Sequence, residues 1–192
     1  MSKKFVNVYY AFVDNLDVEN TKEKLPKIRA EKVQNLESYK DQQLSEGVYL
    51  LLCKALEKIG INASKFDFKY DENDKPFLEG CSIQFSMSHS GSYVAVAISN
   101  KPIGIDIQKL NEIDFKIRKF IFTEKDEKEY QNSDNKLMTF YEKWTRKEAQ
   151  YKLDGRTFKN DNSDPCYFFK IDEKYLIALT GEKPDEIQEL NI

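Results

Sequence analysis

The stretch KWTRKEAQYKLDG, residues 143–155, places a carboxylate where a helix normally carries an apolar core residue. At helical spacing one face holds a mostly apolar set: Leu137, Tyr141, Trp144, Glu148, and Tyr151 or Lys152. Burying an ionised carboxylate is costly unless a cation, an ion pair or hydrogen bonds compensate it. The segment therefore predicts a helix that points Glu148 inward, toward a metal or a phosphate.

The same two polar residues also permit a simpler interpretation. Glu148 and Lys152 lie four positions apart. On an exposed helix face such a pair is an ordinary surface ion pair that contributes roughly 0.2 to 0.5 kcal/mol. Taken alone, this segment favours the surface pair.

A second segment, PIGIDIQK at residues 102–109, alternates β-branched and polar residues and predicts a strand. Asp106 and Gln108 share one side, opposite three isoleucines, so the strand is expected to be half buried. Gly104 leaves room for close approach to the backbone. Together with Glu148, these side chains offer the hard oxygen ligands typical of a magnesium site, although each could equally be solvated at a sheet edge.

A third segment, FSMSHSGS at residues 85–92, contains the only histidine of the chain and precedes the strand-like residues 93–99. Its serines and glycine predict a tight turn. Backbone N–H groups, hydroxyls and the His89 imidazole could there hold a phosphate. An ordinary hairpin with His89 on the surface is the alternative, and this segment alone favours it.

Together the three segments resemble the Sfp-type 4′-phosphopantetheinyl transferases, which activate carrier proteins with coenzyme A. The motifs that carry the resemblance are Ser88-His89-Ser90, Gly104-Ile105-Asp106, the helix residues Trp144, Lys147, Glu148 and Lys152, and a preceding Lys75-Pro76. They span about residues 75–155. The chain length also suits a monomer of this family.

The resemblance implies an α+β fold of two pseudo-symmetric, similar α/β halves, each a small sheet packed on a long helix. We expect residues 1–100 to form the half that binds the 3′-phosphate and adenine of coenzyme A. Residues 101–192 would form the half with the metal and the catalytic helix. The turn at residues 100–102 is the best boundary, and a cleft is expected between His89 and the pair Asp106 and Glu148.

The implied reaction is attack by a carrier-protein serine hydroxyl on the β-phosphorus of coenzyme A, which expels adenosine 3′,5′-bisphosphate. Mg²⁺, with Mn²⁺ as the alternative, would be held by Asp106, Glu148 and Gln108, the last directly or through water. Glu148 would be a ligand, the base that accepts the serine proton, or both. Lys152 would neutralise the leaving phosphate.

The resemblance also implies contacts with coenzyme A. Ser88 and His89 would hold the 3′-phosphate, while Lys75 and Pro76 would border the adenine. Lys147 and Lys152 would hold the pyrophosphate. The family's arginine on the first long helix falls at Gln43, which leaves as candidate phosphate contacts Lys27, Arg29 and Lys32. Trp144 is expected to anchor the motif helix in the core.

The sequence departs from the family at two positions. Gln108 stands where many relatives carry a second acid, and Ser86 where an asparagine is common. Gln108 keeps open a catalytically silent homologue that binds coenzyme A or a carrier protein as a regulatory module. A metal-dependent hydrolase of a pyrophosphate-containing nucleotide, with water in place of serine, is a second alternative.

Residues 116–122 mix basic and apolar side chains, with Lys116, Arg118 and Lys119 beside Ile117 and Phe120. Because carrier proteins are typically acidic, this segment could dock a carrier helix. An equally acceptable alternative is a helix that buries its apolar side chains and leaves the basic ones in solvent.

Composition excludes several classes. The chain of 192 residues has 33% charged and 40% hydrophobic residues, as in a soluble globular protein with a core, and its net charge of −3 argues against a nucleic-acid binder. No apolar run approaches a membrane span, and no cleavage site follows the first residues. Three scattered cysteines predict reduced, partly buried thiols, so we expect a cytoplasmic protein.

The coarse pattern along the chain alternates strands with helices. Predicted strands cover residues 5–13, 66–70, 82–87, 93–99, 103–108, 166–171 and 175–180. Predicted helices cover residues 30–40, 42–59 and about 114–122, followed by a helix with a capping box at Thr123 and Asp126 and by the motif helix. Gly60 is expected to end the helix 42–59.

Overall fold

The computed structural model describes residues 4–111, 115–154 and 164–192, and these ranges contain nine strands and six α-helices. The strands are β1 (Val6–Phe12), β2 (Asp67–Tyr70), β3 (Pro76–Glu79), β4 (Gln84–Ser90), β5 (Tyr93–Ser99), β6 (Gly104–Lys109), β7 (Cys166–Ile171), β8 (Tyr175–Thr180) and β9 (Glu186–Glu189). The helices are α1 (Val18–Thr21), α2 (Lys27–Gln34), α3 (Tyr39–Lys58), α4 (Arg118–Ile121), α5 (Glu124–Asn132) and α6 (Lys136–Asp154).

The strands form a four-stranded sheet in the order β4-β5-β1-β9, a three-stranded sheet in the order β6-β8-β7, and the hairpin β2-β3. This mixed α/β architecture, with one long helix for each larger sheet, confirms the predicted fold class. The last strand, β9, pairs in parallel with β1. The chain end therefore returns to the first sheet, which corrects the expectation that residues 101–192 form a separate second half.

Helix α3 covers the outer face of the first sheet. Ser38 caps its N-terminus, and Gly60 follows its C-terminus with a φ of 78°, as predicted for that glycine. One stripe of α3 is fully buried against β1, β4 and β5, with Leu51, Leu52, Ala55 and Leu56 in the core. The predicted helix 30–40 was wrong, because α2 ends at Gln34 and the chain breaks before the Ser38 cap.

The inner faces of the two sheets pack against each other. Alternate residues of β1 and β5 meet the apolar side of β6 and β8, including Ile103, Ile105, Ile107, Ile177 and Leu179. Helix α6 covers the other side of β6. A Cβ at Gly104 would overlap the carbonyl oxygen of Ala149, so only glycine permits this approach. Strand β6 is thus covered on both sides, and not half buried as predicted.

The two sheets also meet side by side, along β4 and β6. The N–H groups of Ile105, Ile107 and Lys109 donate to the hydroxyls of Ser86, Ser88 and Ser90 at 3.1, 3.2 and 3.0 Å. We call this row of contacts the serine seam. The predicted tight turn was therefore wrong in position, because Ser88, His89 and Ser90 lie on β4 and the turn follows at Gly91 and Ser92.

Several local predictions are confirmed. The capping box of Thr123 and Asp126 opens α5, and the three cysteines are free, half-buried thiols. Residues 115–121 form a 3₁₀ turn followed by α4, whereas residues 112–114, where the predicted helix begins, lie outside the described ranges. Among the described helices, none has the length and hydropathy of a membrane span.

Candidate active site

Two adjoining cavities lie where the first half meets helix α6, and together we call them the cleft. The larger, of about 430 Å³, is lined by Lys75, Pro76, Glu148, Lys152 and their neighbours. The second, of about 280 Å³, is lined by Arg29, Lys32, His89 and others. Both share the lining residues Asp74, Pro76 and Met87. Residues of three motifs therefore line the cleft, whereas Asp106 lines neither cavity and is linked to the cleft through hydrogen bonds with Ser88 and Lys152.

Asp106 lies on β6 at the base of this region, and its side chain is only 2% exposed. Its Oδ1 accepts hydrogen bonds from Ser88 Oγ at 2.7 Å and from Lys152 Nζ at 2.6 Å. Its Oδ2 accepts one from Gln108 Nε2 at 3.0 Å. Cationic and neutral donors therefore satisfy both oxygens of this buried carboxyl group.

Lys152 thus contacts Asp106 and Ser88 rather than Glu148, its neighbour one helical turn away. This arrangement excludes the surface ion pair between Glu148 and Lys152 considered from sequence. Lys152 also joins the two halves of the molecule, since Ser88 belongs to β4 and Asp106 to β6. Its ammonium group is held at the serine seam, beside the larger cavity.

Glu148 is half buried and lines the larger cavity, which confirms the predicted inward direction. Within the described residues it has no hydrogen bond or ion pair. Desolvation raises the pKa of its carboxyl, the negative charge of Asp106 raises it further, and Lys152 opposes both effects. A cation placed near Glu148 would relieve this unfavourable electrostatic environment.

The donor set is suited to a hard divalent cation. Asp106 and Glu148 provide carboxylates, and Gln108 adds an amide group whose nitrogen donates to Asp106 Oδ2. No cluster of three or more His, Cys, Asp or Glu side chains occurs in the described ranges. Mg²⁺ typically takes one or two carboxylates and completes its shell with water and substrate phosphates, so these residues fit it.

The second cavity contains the basic residues expected at the phosphate end. Arg29 is 4% exposed and donates to the Ser45 carbonyl and hydroxyl and to Tyr70. Lys32 Nζ lies 4.7 Å from the centre of the Tyr70 ring. Lys27 does not belong to this group, because its side chain is 92% exposed and near Glu31, outside both cavities. The expected phosphate contact by Lys27 therefore has no support in the geometry.

His89 lies on β4 with part of its ring open to solvent and part against the second cavity. Desolvation by that wall lowers the pKa of the imidazole, and the positive charges of Lys152 and Arg29 lower it further. The neutral ring can still donate one N–H and accept one hydrogen bond. His89 therefore suits a neutral donor role near neutral pH.

Lys75 has a position that the sequence did not indicate. Its Nζ donates to the carbonyl of Leu153 at 3.1 Å and reaches that of Ile103 at 3.5 Å. Desolvation lowers the pKa of this amine. Lys75 therefore lines the larger cavity with Pro76, as predicted, and also ties the hairpin β2-β3 to the second half.

Lys147 departs from the expected role in pyrophosphate binding. Its Nζ lies 2.9 Å from Asp126 Oδ2 and lines neither cavity of the cleft, which corrects that prediction. Burial opposes ionisation of Asp126, but hydrogen bonds from Lys147 and Thr123 outweigh this effect and lower the pKa to about 2. Lys147 thus joins α5 to α6. Trp144 packs on Phe140, as predicted for a core anchor.

Sequence reasoning missed three structural contributors to this region. Ser86 and Ser90 extend the serine seam on either side of Ser88, and Asp126 holds the motif lysine. The alternation of serines at residues 86, 88 and 90 was the available signal for a strand face. No signal within the motif helix identified the partner of Lys147.

A sequence model described as the 4′-phosphopantetheinyl transferase superfamily matches residues 102–186. The 4′-phosphopantetheinyl transferase gsp of Aneurinibacillus migulanus is 36% identical over 114 residues, which cover 57% of this chain and 47% of that protein.

Two proteins of Bacillus subtilis give longer matches. A 4′-phosphopantetheinyl transferase is 27% identical over 164 residues, covering 72% of this chain and 73% of that protein. The 4′-phosphopantetheinyl transferase Sfp of strain 168 is 28% identical over 150 residues, covering 65% and 67%. The motifs, the fold and these similarities agree: residues 102–186 match the 4′-phosphopantetheinyl transferase superfamily, and the chain as a whole is similar to transferases of the Sfp type.

Proposed function

We propose that this protein transfers the 4′-phosphopantetheine group of coenzyme A to a serine of an apo acyl or peptidyl carrier protein and releases adenosine 3′,5′-bisphosphate. The observation that carries the proposal is that Glu148 and Lys152 line one cleft with Ser88 and His89. The buried Asp106 is joined to this cleft by hydrogen bonds from Lys152 and Ser88. The names of the relatives support the same reaction.

In this proposal the first half holds the nucleotide. Arg29, Lys32 and His89 line the second cavity and would contact the 3′-phosphate. Lys75 and Pro76 would border the adenine in the larger cavity, which also contains Glu148 and Lys152. The pyrophosphate would then lie between the two groups of residues. Ser88 would add its hydroxyl to the phosphate contacts after giving up one of its present partners.

The reaction forms a bond between the serine oxygen and the β-phosphorus and breaks the bond to the bridging oxygen of the pyrophosphate. Glu148 would accept the serine proton, a role favoured by its raised pKa and its lack of an ion-pair partner. Lys152 would place positive charge near the departing phosphate. Bound Mg²⁺, with Mn²⁺ as the alternative, would be held by Asp106, Glu148 and Gln108 and would supply further positive charge to the phosphate oxygens.

Intact-mass measurement of a panel of apo carrier proteins tests this function. Each carrier is incubated with the protein, coenzyme A and Mg²⁺, and Glu148→Ala is compared with Glu142→Ala on the same helix. We expect one phosphopantetheine unit on at least one carrier, lost without the metal and in Glu148→Ala only.

Two other results would contradict the proposal. Binding of coenzyme A without modification of any carrier would favour the silent regulatory module, with Gln108 as the residue to examine. Release of adenosine 3′,5′-bisphosphate in the absence of a carrier would favour the hydrolase.

For the carrier we propose docking on the surface around α4. The alternative, a helix that buries Ile117, Phe120 and Ile121, holds only for Ile121, which is buried. Phe120 is 75% exposed and Ile117 is 38% exposed, so both are accessible to a partner. Lys119 is exposed beside them. Changing Lys119→Glu is expected to weaken carrier binding and to leave coenzyme A binding unchanged, whereas Lys128→Glu on α5 serves as the charge-matched control. Equal carrier affinity in both variants would refute this docking site.

A further inference from the structure

The second cavity, in which the proposed function places the 3′-phosphate, is lined by as many carboxylates as permanent cations. Arg29 and Lys32 contribute positive charges, and Asp41 and Asp74 contribute negative ones. A phosphate monoester carries about −1.5 to −2 charges at pH 7. A cavity with balanced charges gives such a group little net attraction.

His89 does not shift this balance toward positive charge. Desolvation lowers the pKa of its ring, and the charges of Lys152 and Arg29 lower it further, whereas Asp41 acts in the opposite direction. The imidazole is therefore neutral near pH 7. Its electrostatic coupling to Asp41 also indicates that the two side chains are close.

The cations of this cavity are already engaged. The guanidinium of Arg29 donates to the Ser45 carbonyl and hydroxyl and to the Tyr70 hydroxyl, so few of its donors remain for a ligand. Lys32 lies over the ring of Tyr70. Lys32, Asp41 and Asp74 are all exposed to solvent, which screens these three charges alike.

The carboxylates are placed by the backbone. Asp41 lies in the first turn of α3, where its N–H donates to the Ser38 cap at 3.4 Å. A helix N-terminus attracts anions, and at α3 the carboxylate of Asp41 is such an anion. Asp74 adopts a φ of 58° between the two cavities. The carboxylate of Asp41 thus occupies a helix end that would otherwise favour a phosphate.

We propose that Asp41 and Asp74 are specificity-determining residues that make this cavity accept a ribose 3′-hydroxyl about as well as a 3′-phosphate. A carboxylate accepts a hydrogen bond from a hydroxyl and repels a phosphate. The inference rests on the proposed function. It predicts that the protein uses 3′-dephospho-coenzyme A as a substrate about as well as coenzyme A. The same bonds form and break, and the leaving group is then adenosine 5′-monophosphate.

Isothermal titration calorimetry of adenosine 3′,5′-bisphosphate and adenosine 5′-monophosphate, each with Mg²⁺, tests the inference without turnover. For the unaltered protein we expect the two Kd values to agree within about tenfold, the effect of one weak charge contact. Asp41→Asn should lower the Kd of adenosine 3′,5′-bisphosphate by about tenfold. The same substitution should change the Kd of adenosine 5′-monophosphate by less than about twofold. Asp74→Asn should act in the same direction, since asparagine tolerates its backbone conformation.

Asp67→Asn, at the far end of the β2-β3 hairpin and outside both cavities, is the charge-matched control and should change neither Kd. The inference is overturned if the unaltered protein binds the bisphosphate more than about a hundredfold tighter than the monophosphate. The inference is also overturned if Asp41→Asn lowers the Kd values of both nucleotides by the same factor. If the nucleotides bind with the expected pattern but no carrier is modified, the proposed function and the substrate prediction are contradicted. The role of Asp41 and Asp74 in nucleotide selection then still holds.

Discussion

The two long helices of the molecule occupy equivalent places and pack by different means. Helix α3 lies on the first sheet through an apolar stripe that is completely buried. Helix α6 lies on the second sheet through a close backbone approach at Gly104, and its buried face includes Thr145, Lys147 and Gln150. Both helices bury polar side chains, and on α3 these are Gln43, Ser45 and Glu46. The two helices differ in the contact with the sheet, which is an apolar stripe for α3 and a close backbone approach at Gly104 for α6.

This difference explains where the chemistry can reside. The close approach at Gly104 brings α6 near β6, so that Lys152 reaches Asp106 and Glu148 faces the larger cavity. The cost is a carboxylate that is desolvated without an ion-pair partner among the described residues.

The largest expected effect concerns the polar face of α6. Glu148→Gln should lower carrier modification by about a thousandfold, because it removes both a proton acceptor and a negative metal ligand. Initial rates with coenzyme A and one responsive carrier measure this loss. Glu142→Gln on the same helix is the control, and a loss below about tenfold in Glu148→Gln would contradict the role assigned to the carboxylate.

The close approach of α6 to β6 can be broken directly by a pair of matched substitutions. Gly104→Ala should destabilise the fold by about 3 kcal/mol, because the new methyl group meets the rigid backbone of Ala149. At Gly47 of α3 the nearest atom is Val13 Cγ1 at 2.6 Å, in a side chain that can move.

Gly47→Ala also gains helix propensity of about 1 kcal/mol, so its net effect should be small. Urea denaturation of both variants gives the comparison. Equal loss of stability in the two variants would show that an added methyl group is tolerated equally well at α3 and at the contact of α6 with β6. That result would contradict the difference in packing described here.

The buried pair between α5 and α6 should make stability depend on pH. Because the pKa of Asp126 is lowered from 3.8 to about 2 in the folded state, its stabilising effect is complete above pH 4. This effect is lost as the pH falls from about 4 to 2 and amounts to about 2 kcal/mol. Asp126→Asn should remove this dependence and destabilise the protein at pH 7.

Unfolding free energies between pH 2 and 7 measure this effect. Glu129→Gln removes an exposed partner of Lys143 and is the control, with an expected loss below about 1 kcal/mol. A similar loss of unfolding free energy in both variants would mean that the pair of Lys147 and Asp126 stabilises the fold no more than an exposed ion pair does.

The smallest expected effect concerns the stability cost of Glu148 itself. Its pKa is raised in the folded protein, so stability falls as the pH rises from about 4.5 through the folded-state pKa. Glu148→Gln should therefore be slightly more stable than the unaltered protein at pH 7 and indistinguishable from it at pH 4. Thermal unfolding at the two pH values measures this difference in stability. A Glu148→Gln variant that is less stable than the unaltered protein at pH 7 would contradict the conclusion that the charge of Glu148 destabilises the fold.

Local patterns were sufficient for those features that depend on neighbouring residues. The inward direction of Glu148, the capping box at Thr123 and the helix end at Gly60 follow from spacing and capping preferences. The position of the cleft needed more than one motif, since its residues come from β4, β6 and α6. Each motif alone had favoured an ordinary surface structure.

The features that were mispredicted depend on distant partners. Ser88 and Ser90 lie on a strand whose backbone pairs with β5. Their hydroxyls accept N–H groups 19 residues away, a contact that no local turn preference describes. Lys147 turned out to pair with Asp126 on another helix. Strand β9 pairs with β1 at the other end of the chain. Tertiary contacts decide these three features.

The most direct test of the division between the two halves is a comparison of kcat and KM for coenzyme A in His89→Ala and Glu148→Gln. His89→Ala, in the first half, should raise KM and leave kcat within a few-fold, because it removes a nucleotide contact. Glu148→Gln, in the second half, should lower kcat while nucleotide binding persists. Equal loss of kcat in both variants, with KM unchanged, would contradict the account.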